Sequence, residues 1–146
     1  MPDLWPDNLD KVEIKAPVAI LREQTTFLGT KTRNLVRATI GTPEIKRRIE
    51  NEYGPFSYAF RLIAPALGNY QYRLFDIAHD VSLYPVRIMP DSDVARELGV
   101  HPNEGEVIAN NEQEFLDVLA AIFRTDKTRQ IIHAMIAQSG DDEDGL

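Results

Sequence analysis

Three histidines, His79, His101 and His133, are the side chains of this 146-residue chain best suited to move a proton near neutral pH. None has a second ligand at metal spacing. No His-x-x-x-His and no Glu-x-x-His pair occurs, whereas a zinc site draws on three or four converging side chains. His79-Asp80 reads as a turn pair, with a base oriented by the neighbouring acid as the sharper alternative. His101, followed by Pro102 and then Glu104, falls on an expected loop, and His133 on the polar side of the last helix. His79, His101 and Glu104 together mark a candidate pocket for a small molecule or anion between sheet and helices. The serines (Ser57, Ser82, Ser92 and Ser139) lie in no Gly-x-Ser-x-Gly elbow. Gly68 lacks the further glycines of a phosphate cradle. Glu112 and Glu114 are accounted for by helix capping and the helix dipole. The sequence therefore nominates no catalytic residue, no metal and no cofactor.

The arginines are more informative. Eight of the twelve aromatic residues fall between positions 53 and 88, interleaved with Arg61, Arg73 and Arg87. A regular antiparallel register would set Arg61 opposite Arg73, and Arg73 opposite Arg87. Phe60, Leu62, Tyr72, Leu74, Val86 and Ile88 would then share the inward face. Like charges directly opposite are destabilising, so such a row calls for carboxylates or a bound anion; a slipped register would instead let each arginine pair with a surface acid. On that outer face Ile63, Phe75 and Leu83 are expected beside Arg61, Arg73 and Arg87. Mixed aromatic, aliphatic and arginine groups are the composition of interface centres. Tyr58, Tyr70 and Tyr72 are expected in the core, or lining a pocket with Gln24. A second basic cluster comprises Lys31, Arg33, Arg37, Lys46, Arg47 and Arg48, suited to phosphate or an acidic surface, or simply a solvated helix face balanced by Glu50 and Glu52.

The elements that position these groups follow from periodicity. Pro17 suits a first helical turn, and Val18, Leu21, Thr25 and Leu28 recur at helical spacing up to about Thr32. Gly29 in that helix signals close packing or an early end. Residues 34–40 alternate as a strand. Thr42-Pro43-Glu44 starts a short helix, expected to bury Ile45 and Ile49 and to turn Lys46, Arg47 and Arg48 outward. Strands are expected at 56–64, 70–78 and 81–89, the first two joined by Gly68-Asn69. Pro85 argues for an edge position of the third. Ser92 is read as the cap of one helical turn carrying Val94 and Leu98, and residues 106–109 as a short strand. Asn111 with Glu114 forms a capping box ahead of Phe115, Val118, Leu119, Ile122 and Phe123. Ile131, Ile132, Met135 and Ile136 give a final amphipathic helix.

The fold expected is α+β: an antiparallel sheet of four to five strands, covered on one face by an N-terminal helix and a C-terminal α-hairpin. It is one domain over residues 1–146: an N-terminal arm at 1–16, a compact body at 17–139 and a disordered acidic tail at 140–146. The formal net charge is −7, and Asp141–Asp144 supplies four of those charges. That acidity argues against nucleic-acid binding, which rests on neutralising phosphates. Without cysteine, disulfide and thiolate-metal chemistry are excluded. No secretory signal and no membrane-length apolar run is read, which points to a cytoplasmic protein that does not engage a membrane. The functional expectation is a non-enzymatic protein-interaction module, of accessory, adaptor, inhibitor or immunity type, binding a partner protein or itself through the outer sheet face. The alternative is a small-molecule or anion-binding domain, with or without enzymatic activity, whose pocket lies between sheet and helices.

Overall fold

The computed structural model describes residues 1–101 and 104–144, the last four by their backbone path alone. Five strands, β1 (Arg37–Gly41), β2 (Phe56–Ala64), β3 (Tyr70–His79), β4 (Val86–Pro90) and β5 (Val107–Ala109), form one antiparallel sheet in sequence order. Among the described residues five α-helices accompany them, α1 (Pro17–Lys31), α2 (Ile45–Glu50), α3 (Ser92–Glu97), α4 (Glu112–Phe123) and α5 (Asp126–Asp144), with a short 3-10 turn at Pro65–Leu67. α1, α4 and α5 pack over one face, so the architecture is the α+β one expected. The acidic run continues α5 as far as Asp144, and residues 145–146 lie outside the described residues. No helix among the described residues is long and apolar enough to cross a membrane.

Local sequence explains most boundaries. Pro17 opens α1, and the helix passes through Gly29 to Lys31. A Cβ at Gly29 would stand 3.0 Å from Asn34 Oδ1, so this glycine marks close packing rather than an end. Asn111 Oδ1 accepts the Glu114 N–H at 2.9 Å, and Glu114 Oε1 accepts the Asn110 N–H, closing the expected box at α4. Asp91, rather than Ser92, caps α3 by accepting from the N–H groups of Asp93 and Val94.

The register holds the main surprise. Arg61 does pair with Arg73, Leu62 with Tyr72 and Ala64 with Tyr70, but Phe60 pairs with Phe75. A β-bulge therefore places both Arg73 and Leu74 against Arg61, and the side-chain alternation of β3 changes phase there. Tyr72 and Leu74 face the helices before the bulge; Phe75, Ile77 and His79 face them after it. Phe75 is fully buried, its ring stacked on Phe60 at 4.9 Å and tilted against Phe123 at 6.2 Å. The expected place of Phe75 on the outer face is thus corrected to the core.

The second hairpin differs too. Arg87 pairs with Ala78, not Arg73, because residues 80–85 form the connection and β4 begins at Val86. The expected three-arginine row is broken. Leu83, at φ 75°, sits in that connection instead of on the sheet. Pro85 precedes β4, joined to Tyr84 by a cis peptide, and β4 lies inside the sheet between β3 and β5; the edges are β1 and β5.

α2 is inverted relative to expectation. Ile45 and Ile49 are 65% and 71% exposed, while the Nε atoms of Arg47 and Arg48 are buried. Arg47 is turned into the groove beside Tyr53 and Arg73, where its charge acts on the Tyr53 phenol, and long arginine stems can cover apolar surface while their heads stay in a polar setting.

Candidate functional site

The outer face is built around Asp76. Tyr53, in the turn after α2, donates its phenol proton to Asp76 Oδ2 at 2.8 Å. Arg73 Nε lies 3.1 Å from Asp76 Oδ1, but its N–H is not aimed at that oxygen, so the contact is coulombic. Arg73 instead donates from Nη2 to the Met89 carbonyl at 2.7 Å. Burial, then the hydrogen bond to Asp76 and its charge, push the Tyr53 phenol well above its ordinary range. Arg73 and Arg47 pull more weakly the other way.

Beside this network runs a groove of about 630 Å³ between α2, α3 and the ends of β3 and β4. Arg47 and Asn51 line it from α2, Tyr53 and Arg73 from the sheet side, and Asp91, Arg96 and His101 from α3 and its flanks. Asp91 is the one carboxylate among these lining residues, and it is fully engaged. Its Oδ2 caps α3 and its Oδ1 accepts from the Tyr72 hydroxyl at 2.6 Å. Burial and that bond hold the Tyr72 phenol well above its usual range. Among the described residues Arg96 is tied only to Asp93, an exposed pair at 3.0 Å of little energetic consequence. Lys127 and Arg96 together draw the Asp93 carboxyl below the usual carboxylate range, the Lys127 hydrogen bond being the larger cause. Arg47 has no carboxylate partner among the described residues. The groove thus presents three guanidinium groups against one committed carboxylate, in a protein whose overall charge is negative.

The other nominated residues are dispersed. Arg61 donates to the Thr42 carbonyl at 3.1 Å. Arg87 pairs with Glu106 at 2.7 Å and donates to the carbonyls of Asn51 and Glu52, pinning the end of α2 to β4. Ile63 is half-buried beside Arg37 and Gln71, its neighbours in the ladder. Of the basic cluster, Arg47 alone lines the groove; Lys46 pairs with Glu50, Arg33 lies in the turn after α1 and Arg37 opens β1, both exposed. Lys31 belongs to a cavity on the opposite face.

The His79, His101, Glu104 trio is not assembled. His79 is buried on the helix-covered face, stacked on Phe56 and Tyr58, with Nδ1 2.6 Å from the Asp80 carbonyl. His101 lines the groove, while Glu104 is exposed in the following turn and does not. Tyr70 and Tyr72 border a shallow depression against α5. Gln24 does line a cavity between sheet and helices, but among Phe27, Leu28, Phe60 and Phe123 rather than tyrosine hydroxyls. No three His, Asp or Glu side chains converge as a metal site would need, among the described residues.

Sequence reasoning missed Asp76, Tyr53, Asp91 and Arg96. Arg73-x-x-Asp76 was the available signal: across a bulge, residues three apart return to one face. Comparison with protein families, curated proteins and solved structures finds no match to this chain.

Proposed function

We propose that this domain is a non-enzymatic binding module whose ligand is a small acidic molecule, carrying carboxylate or phosphate, held in the groove between α2 and α3. One observation carries the reading: Arg47, Arg73 and Arg96 converge on a groove whose only lining carboxylate is already committed. Its volume of about 630 Å³ falls in the range of small-molecule sites, roughly 300–1,000 Å³. Guanidinium groups suit carboxylate and phosphate because their fork of donors matches two oxygens. Arg73, held by Asp76 and the Met89 carbonyl, supplies a rigid floor; among the described residues Arg47 has no carboxylate to give up, and Arg96 has only the exposed pair with Asp93 to exchange for the ligand.

The reading as a protein-interaction module on the outer sheet face draws less support. Phe75 has gone to the core, Leu83 to a turn, and α2 lies across part of the surface. What remains around Arg61 and Ile63 is mostly polar.

The test is thermal unfolding at low ionic strength with inorganic phosphate, citrate and a nucleoside monophosphate. A ligand that binds only the folded state raises stability by about 2.7 kcal/mol at a hundredfold excess over Kd. The expected result is a rise in Tm with at least one anion, weakened by added salt and lost in Arg47→Ala/Arg96→Ala. Arg73 is left intact in that variant because its removal would strand Asp76. No rise with any of the three anions would refute the proposal.

A further inference from the structure

The first fourteen residues form an arm that leaves its apolar groups uncovered. Leu4 and Trp5 are 87% and 76% exposed, and Leu9, Val12 and Ile14 are also in water. The root of the arm is fixed: Glu112 Oε1 accepts the Lys15 N–H, and the Lys15 carbonyl accepts the Tyr84 hydroxyl. On the helix-covered side, an apolar cavity of about 270 Å³ opens between α1 and α5. Phe27, Leu28, Phe60, Leu74, Phe123 and Ile132 line it, and Phe27 at its mouth is more than half exposed.

We infer that two copies of this chain pair by exchanging arms, each laying Leu4 and Trp5 in the other's cavity between α1 and α5. Charge supports the match. The arm carries Asp3, Asp7, Asp10 and Glu13 against Lys11 alone, Lys15 at its root being paired with Glu23. The cavity has Lys31 at its rim, and a neighbouring depression sharing Gln24 and Phe123 adds Arg124. Neither Lys31 nor Arg124 has a carboxylate partner among the described residues.

Chain length alone does not force exchange. Ten extended residues span up to about 33–36 Å, so an arm could reach the cavity of its own body. In the single chain it does not: arm and cavity are both left open, and a second copy satisfies both at once. Exchange of identical elements also makes a closed two-fold pair rather than a chain of copies. This surface is separate from the arginine groove, so its test does not depend on that reading.

Trp5 is the only tryptophan, and its emission reports the docking directly. The experiment is light scattering after size exclusion on the full chain over a wide concentration range, with Trp5 fluorescence on the same samples. The expected result is a dimer that grows with concentration while Trp5 emission shifts to the blue in step. Phe27→Glu, at an exposed position, should abolish both changes while far-UV circular dichroism stays native. Leu4→Ser should weaken the dimer, and mixing the two variants should restore part of it, since a Phe27→Glu arm still meets an intact cavity. A monomer at every concentration overturns the inference. So does a dimer indifferent to both variants, or a blue-shifted Trp5 that ignores concentration, which would place the arm on its own body.

Discussion

The two faces of the sheet are made from the same strands yet hold together in different ways. Under α1, α4 and α5 the contacts are apolar: Phe60, Leu62, Leu74, Phe75 and Ile77 are buried among Phe115, Leu119 and Ile122. Under α2 they are polar: a buried carboxylate bonded to a half-buried phenol, and guanidinium groups that reach nearby carbonyls while some of their buried N–H groups find no partner. The apolar face gains from area removed from water and tolerates conservative repacking. The polar face gains little in net stability but is strict, because each group left alone after a deletion is buried and unpaired. Strictness without much stability is the property expected of a surface that must present arginines in fixed positions.

Phe75→Ala should show the largest effect on the apolar side. Removing a fully buried ring that stacks on Phe60 is expected to cost about 3–5 kcal/mol, read from the midpoint of urea unfolding. On the polar side, Asp76→Ala should cost about 3 kcal/mol by stranding Arg73. Adding Arg73→Met to it should recover much of that loss. A double variant no more stable than Asp76→Ala alone would break the comparison, since the polar face would then owe its cost to something other than the unpaired charge.

Tyr53→Phe probes the same network more gently, with an expected cost of about 1–2 kcal/mol for leaving one Asp76 oxygen short of a donor. It also carries a pH signature. The Tyr53 phenol is held above its ordinary value when folded, so the folded chain keeps a proton that the unfolded chain gives up above about pH 10. The stabilisation is complete below that pH and is lost as pH rises beyond it. Thermal unfolding across the alkaline range should therefore fall less steeply for Tyr53→Phe than for the parent. Smallest of all, Ile45→Ser and Ile49→Ser should each change stability by no more than about 0.5 kcal/mol, because both side chains already stand in water. A loss of several kcal/mol at either would mean that α2 is not turned with its arginines toward the sheet.

Much of the fold was legible in the residues. Asn111 and Glu114, the i, i+3, i+4 run from Phe115 to Phe123, and the Gly68-Asn69 turn are local signals, and each element formed where its signal lay. The bulge at Arg73-Leu74 had no such mark. Alternation reads equally well with or without an extra residue, so counting along β3 puts Phe75 outward, whereas the bulge turns it into the core. α2 failed differently. Periodicity correctly found Ile45 and Ile49 on one stripe, but which stripe turns inward depended on groups of other segments, Tyr53 and Arg73, that meet Arg47 only in the folded chain. The groove shares that character: Arg47 comes from α2, Arg73 from β3, and Asp91 and Arg96 from α3 and its cap, and no local pattern announces their meeting.

The bulge has one more consequence, for chain length. Without Leu74, the remaining residues of β3 would alternate without interruption, Tyr72, Phe75 and Ile77 toward the helices and Arg73 and Asp76 away. The ladder with β2 would run in one register from end to end. Loss of a single residue inside a strand ordinarily turns everything beyond it inside out; here it would leave both faces as they are and open a leucine-sized hole beneath α1. Position 74 is therefore where this sheet can lose a residue at the cost of packing alone.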